Sequence, residues 1–144
     1  MKTKQVIVLR KFEDCPIGKY CSQAAHASMS FLTSDMTVEG LVLEDYDEFG
    51  ADVGYVLSTK RLDPHVPEID DWLRNSFKKV VVYVETDEEL VALHEKALTQ
   101  GLLSHLITDN GTTVFDGVPT RTALAIGPAE ESKFINLTDH LPLL

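Results

Sequence analysis

Apolar and polar positions along the chain alternate between short continuous apolar runs and stretches with a helical period. Gln5 to Arg10 is a compact apolar run of the kind found inside an α/β sheet, so it reads as a first strand, with Lys11 to Gly18 as its exit loop. From about Gly18 to Leu32 the period changes, and Cys21, Ala24, Ala25, Ser28, Phe31 and Leu32 recur at spacings suited to the buried stripe of a helix. Lys79 to Glu85 is the clearest central strand. Thr86-Asp87-Glu88-Glu89 follows it as a capping box, with Thr86 as N-cap and Glu89 reaching back. The helix it opens turns Leu90, Leu93, Ala97 and Leu98 inward and stops at Gly101. Leu103 to Thr108 and Thr122 to Ile126 are further strands, separated by a long polar turn, the second ending at Gly127-Pro128. A final short helix, with Pro128 near its start, is expected to carry Phe134, Ile135 and Leu137.

Between Asp35 and Asp71 the periodicity breaks down. Glu44-Asp45-Tyr46-Asp47-Glu48 is a charge run among glycines, Val53 to Ser58 has the β-propensity of a short strand or hairpin arm, and a helix starting around Pro67 is expected to carry Ile69, Trp72 and Leu73. The segment reads as an acidic insertion in a single domain spanning residues 1–144. The order β-α-insert-β-α-β-β-α gives an α/β fold, a four-stranded mixed sheet flanked by helices on both faces in three α/β/α layers.

Charge sharpens this division. Of the net charge of −10, nearly all sits between Asp35 and Asp71, where 11 acidic residues face 2 basic ones; the remainder holds 12 acidic and 11 basic residues. A near-neutral body with Arg10, Lys11, Lys19, Lys78, Lys79 and Arg121 can present a local basic face, so an RNA partner stays admissible despite the acidic total. The N-terminal apolar run is too short for a signal-peptide core and no segment is long enough to span a bilayer, so a cytoplasmic protein with no membrane partner is expected. Cys15 and Cys21 lack both C-x-x-C spacing and a fourth ligand beside His26, so no metal is expected and the thiols read as reduced.

The candidate chemistry starts at Gly18-Lys19. Lys19, Gln23 and His26 are four and three residues apart and share one helix face, read as pointing outward, while Gly18 lets the backbone turn ahead of unpaired N–H groups that favour an anion. A solvated face with one hydrogen-bonded histidine fits the same residues. Asp109-Asn110-Gly111-Thr112-Thr113 lies just after a strand end, where open α/β sheets tend to place ligands, although Asp-Asn-Gly is also an ordinary turn signal.

Gly18-Lys19 with Gln23-Ala24-Ala25-His26-Ala27, the strand and helix from Lys79 to Gly101, Asp109-x-Gly111-x-Thr113 and Thr122-Ala123-Leu124-Ala125-Ile126-Gly127-Pro128 occur together, in this order. In that combination the sequence resembles the second type of peptidyl-tRNA hydrolase. The resemblance implies a four-stranded mixed sheet between helices, no cofactor, and hydrolysis of the ester joining a peptide to the terminal ribose of tRNA. It marks Lys19, Asp109 and Thr113 as functional positions, with Gly18, Gln23, His26 and Gly111 supporting or binding substrate. The acidic insertion and the turn Phe115-Asp116-Gly117-Val118-Pro119, less basic and one residue longer than is common, depart from the pattern and bear on substrate range.

Direct attack by water is the simplest chemistry, since no serine or cysteine sits in a nucleophile motif. On this reading Asp109 orients the water and accepts its proton. Thr113 holds the water or the ester carbonyl, and Lys19 stabilises the oxyanion or the 3′-terminal phosphate. A tRNA- or protein-binding module on the same fold, without turnover, is the alternative. Oligomeric state is left open, with a homodimer as one option.

Overall fold

The structure, a computed structural model, describes residues 1–34, 36–47, 50–59 and 62–144, and within 36–59 only the backbone. Its strands are β1 (Thr3–Arg10), β2 (Met36–Asp47), β3 (Gly50–Thr59), β4 (Lys79–Val84), β5 (Ser104–Asp109) and β6 (Thr120–Glu130). Its helices are α1 (Ile17–Thr33), α2 (Val66–Asp71) and α3 (Asp87–Thr99). Four strands form one sheet in the order β4-β1-β6-β5, with β4 parallel to β1 and β6 antiparallel to both its neighbours. The expected α/β architecture is therefore present.

Alternation along β1 divides the core. Val6 and Val8 join Val82, Val84, Leu124, Ile126, Phe134 and α3 residues Leu90 and Ala97 on one face, while Ile7 and Leu9 join Ala123, Ala125, Ile107 and Ala27 of α1 on the other. The small Ala123 and Ala125 let α1 lie close to the sheet. The α3 capping box forms as the sequence suggests, Thr86 accepting from the Glu89 N–H while Glu89 accepts from the Thr86 N–H.

Two side-chain clasps pin α1, buried Gln5 from the sheet below it and half-buried Tyr20 of its own first turns to the loop before it. Gln5 donates to the Ser28 carbonyl at 2.9 Å and accepts from the Ser28 hydroxyl at 2.7 Å. At the helix start, the Tyr20 hydroxyl donates to the Phe12 carbonyl at 3.0 Å and accepts from the Phe12 N–H at 2.8 Å. Each buried group finds a partner, so burying it costs little.

Several expectations are corrected. On α3, Leu98 is exposed and not turned inward; Leu90 and Ala97 are the buried positions, with Leu93 partly buried beside them. The buried stripe of α1 consists of Gln23, Ala27, Ser30 and Phe31, with Cys21 and Ala25 exposed. Alanines and a cysteine look apolar, but the buried face accepts Gln23 and Ser30 because hydrogen bonds satisfy them. β6 does not stop at Gly127-Pro128 and no helix begins there; the strand runs on to Glu130, then a 3-10 turn, Glu131–Phe134. A register shift between Lys4 and Val6 makes the difference, because a proline that lacks an N–H is tolerated at such an irregularity. Within the insertion, residues 36–59 form an antiparallel β2-β3 hairpin, in which the expected arm Val53 to Ser58 extends to Gly50–Thr59; of the charge run, Glu48 lies outside the described residues. The helix expected around Pro67 starts at Val66 and continues beyond α2 as a π-helical stretch, Trp72–Ser76; Ile69 and Trp72 are buried against Phe31 and Leu62 while Leu73 is exposed.

Gly127 is one position where glycine is required. Its φ is +89°, and a Cβ there would lie 2.9 Å from the Ala129 nitrogen and 3.1 Å from the Lys4 oxygen, both backbone atoms. Gly127→Ala is expected to lower unfolding free energy by on the order of 1–3 kcal/mol. A urea titration reads this as a lower midpoint at unchanged slope; an unmoved midpoint would show that the strand yields there freely.

Candidate active site

The first turn of α1 and the end of β5 meet at one side of the sheet. Asp109, the last residue of β5, receives the Lys19 ammonium at 2.6 Å and the Gln23 amide at 2.9 Å, both on Oδ2. Its Oδ1 accepts the Gly111 N–H at 2.7 Å. The same Lys19 ammonium donates to the Thr113 hydroxyl oxygen at 3.0 Å, leaving the hydroxyl proton free to donate elsewhere. A carboxylate offers about four lone-pair sites, so Oδ1 retains capacity for one further donor such as a water.

Glycine shapes the loop that carries these groups. Gly111 is buried at φ +81°, and a Cβ would come within 2.6 Å of the Val118 backbone oxygen and nitrogen, so only glycine lets the loop fold this tightly. The Gly117 N–H donates to the Gly111 carbonyl and the Val118 N–H to the Phe115 carbonyl, each at 2.9 Å. Phe115 packs on Phe12 with ring centroids 4.7 Å apart, and Lys19 sits 5.6 Å from the Phe115 centroid. The loop after β1, the loop after β5 and the start of α1 thus hold one another.

Electrostatics follow from this enclosure. The side chains of Lys19 and Asp109 are 13% and 11% exposed, so water screens their attraction only in part. The Lys19 hydrogen bond, then the Gly111 N–H, hold the Asp109 carboxyl below its ordinary value of 3.8; the Lys19 charge and Gln23 add to this, against some loss of hydration. At neutral pH the group is a carboxylate.

Beside the pair, an open hollow of about 530 Å³ is lined by Arg10, Asp87, Thr108, Pro119, Thr120 and Arg121. Asp87 lies between the two guanidiniums, 2.8 Å from Arg121 and 3.8 Å from Arg10, leaving the trio net positive. This basic patch at the strand ends belongs to the near-neutral body noted in the sequence.

Of the sequence-predicted residues, the structure brings together Lys19, Gln23, Asp109, Gly111 and Thr113. Their face is corrected: Lys19 and Gln23 turn toward the sheet and Asp109, not outward. At about 100° per residue, His26 falls about 100° around the helix from the buried Ala27, so it is exposed at the rim while long Lys19 reaches over it. Gly18 is also corrected. It is exposed inside the first turn of α1 with nothing within 4 Å of a Cβ, and the chain reversal is made earlier by Asp14 at φ +56° and extended Pro16. Sequence reasoning missed Tyr20 and Phe12, the clasp at the helix start, and Asp87, read only as part of a cap.

Residues 3–144 match the family described as Peptidyl-tRNA hydrolase PTH2. The chain belongs to this family. A Methanocaldococcus jannaschii protein named peptidyl-tRNA hydrolase is 33% identical over 98% of this chain and 99% of its own length. One of the same name from Methanopyrus kandleri is 37% identical over 98% and 97%. A solved structure of a protein of unknown function from Agrobacterium tumefaciens covers 100% of this chain and 98% of its own at TM-score 0.52 and 14% identity, which speaks to fold alone. Among the described residues of this PTH2 chain, no group of three or more His, Cys, Asp or Glu is placed to hold a metal ion, and no helix is long and apolar enough to cross a membrane.

The contacts of Asp109 make its acidity a direct readout of the pair. By NMR its carboxyl carbon is expected to titrate below 3.8 and, in Lys19→Met, to move upward. Because the folded value is depressed, the stability it lends is complete above the unfolded value and is lost as pH falls through the folded one. Titration at or above 3.8 in the unsubstituted protein would show that the pair does not persist in solution.

Proposed function

We propose that this protein hydrolyses the ester between a peptide, or an N-blocked aminoacyl group, and the terminal ribose of tRNA. The observation that carries the reading is the convergence of Lys19, Asp109 and Thr113 on one another, with exposed Thr113 at the solvent side, in a chain of the PTH2 family. Ionised Asp109 orients a water through Oδ1 and takes its proton as the water oxygen bonds to the ester carbon. The carbonyl oxygen gains negative charge in that step. Thr113 donates its free hydroxyl proton to that oxygen, and the Lys19 ammonium offsets the charge at short range. As the tetrahedral species collapses, the C–O bond to ribose breaks and the proton held by Asp109 passes to the departing ribose oxygen.

A carboxyl held below its usual range is a weak base, which limits how early it can take the proton. An alkyl ester asks for less assistance than an amide, and Lys19 relaxes its hold on Asp109 as it engages the oxyanion, which raises the basicity when it is needed. Gln23 keeps Asp109 in place during that exchange. The hollow between Arg10 and Arg121 offers guanidiniums to the phosphates of the single-stranded 3′ end. We place the protein in the cytoplasm, where its substrate arises, and propose a homodimer, supported by exposed Ile17 and Met29 on α1 and an apolar hollow lined by Ile17, Cys21, Ala24, Val81 and Leu144.

Purified protein is expected to release the acyl group from N-acetyl-aminoacyl-tRNA, to spare free aminoacyl-tRNA, and to keep its activity after exhaustive chelation when a short acylated mimic of the 3′ end is the substrate. Asp109→Asn keeps the size and the turn-forming carbonyl yet removes the charge, so kcat is expected to fall roughly 10²–10⁴-fold with tRNA affinity nearly unchanged. Binding without turnover in the unsubstituted protein would favour the non-catalytic module, and loss of activity on chelation, restored by a divalent ion, would contradict the side-chain mechanism.

A further inference from the structure

The ladder between β5 and β6 slips by one residue beside the site. Ile107 pairs with Ala123 and Thr108 with Arg121, so Thr122 has no partner across the ladder and forms a β-bulge. Strict alternation would put Thr122 on the face of Leu124 and Ile126, toward α3. The extra residue turns it instead toward α1, alongside Ala123, and frees Arg121 to meet Asp87 at the start of α3.

Turned this way, the Thr122 hydroxyl donates to the Gln23 Oε1 at 2.6 Å, and both residues are buried, at 3% and 7% exposure. With Oε1 occupied by a donor, the amide presents its Nε2 protons to Asp109 Oδ2 at 2.9 Å. The opposite orientation would aim an amide oxygen at a carboxylate. Around this contact the space between Arg10, Phe12, Cys15, Lys19, Phe115 and Thr122 is nearly filled, with about 10 Å³ left, at or below what a water needs. With a side chain of threonine's size at position 122, little room is left for a solvent molecule to take over the hydroxyl's hydrogen bond.

We propose that Thr122 is a positioning residue of the hydrolytic site, and that the β6 bulge exists to aim its hydroxyl at Gln23 and, through Gln23, to hold Asp109 Oδ2 against Lys19. This rests on the hydrolytic reading of Asp109. Thr122 touches no reacting atom; it acts only through the amide. Removing its hydroxyl leaves a buried amide oxygen unsatisfied, so the amide rotates away and Asp109 loses a donor and gains freedom.

Thr122→Val keeps the side-chain shape and β-propensity without the hydroxyl, and Thr122→Ser keeps the hydroxyl without the methyl. With N-acetyl-aminoacyl-tRNA, Thr122→Val is expected to lower kcat roughly 10- to 100-fold with KM within about twofold, while Thr122→Ser stays within about threefold of the unsubstituted protein. In Thr122→Val the NMR titration of the Asp109 carboxyl moves upward, and in a Gln23→Ala background the same change has no further effect on kcat. If the valine variant does not fold, Thr122→Ala removes the hydroxyl without bulk and takes its place. Equal losses in the valine and serine variants would overturn the proposal by assigning the effect to packing, as would an unmoved Asp109 titration. Should the unsubstituted protein release no acyl group, the hydrolytic reading fails by itself, and the titration alone then decides whether Thr122 positions Asp109.

Discussion

The ion pair between Lys19 and Asp109 is the constraint that the surrounding geometry has to meet, since it joins the first turn of α1 to the end of β5 across 90 positions of sequence. A 2.6 Å contact between two mostly enclosed charges tolerates little slack, so both elements must be fixed independently of it. The Gln5 and Ser28 clasp secures α1 toward its far end, the Tyr20 and Phe12 clasp secures it at the start, and Gln23 with Thr122 secures it between. On the other side, Gly111 lets the loop after β5 close on the Val118 backbone and supplies the N–H that fixes the second carboxylate oxygen. Each of these contacts lies on the α1 face of the sheet. The opposite face is more uniformly apolar, with Leu90, Leu124, Ile126, Phe134 and Leu137 filling it, and contributes rigidity without chemistry.

Charge is distributed to suit a polyanionic partner despite the acidic total. The excess of acidic residues lies between Asp35 and Asp71, whereas the strand ends beside the site carry Arg10 and Arg121 around a single carboxylate. A polyanion approaching the site meets the local field first within a Debye length of about 8 Å, so the net charge of the whole chain matters less than those few groups.

Much of this was legible in the sequence because it rests on local rules. The apolar run at Val6 to Leu9, the Thr86 and Glu89 cap and the Asp-Asn-Gly turn each state their own geometry within a few residues, and all three appear as read. What the sequence hid depends on partners far along the chain. Gln23 looks like surface until Thr122 and Asp109 are seen to satisfy it, which is why the sequence alone puts the buried face of α1 on the cysteine and alanine side. Thr122 could not be singled out at all, because alternation assigns it to the wrong face and only the ladder slip opposite Ile107 and Thr108 reveals its direction. The continuation of β6 past Pro128 was hidden for the same reason, since it needs the shifted register against Lys4.

Under the proposed hydrolysis Lys19 and Asp109 form one catalytic unit, not two separate contributors, and a double-substitution cycle measures that property directly. Single-turnover rates on N-acetyl-aminoacyl-tRNA would be compared for the unsubstituted protein, Lys19→Met, Asp109→Asn and the pair combined, each shown to be folded and saturated with substrate. If the two groups act together, the combined variant is hardly slower than the slower single variant. Losses that multiply through to the combined variant would show that ammonium and carboxylate act independently, and would contradict the account.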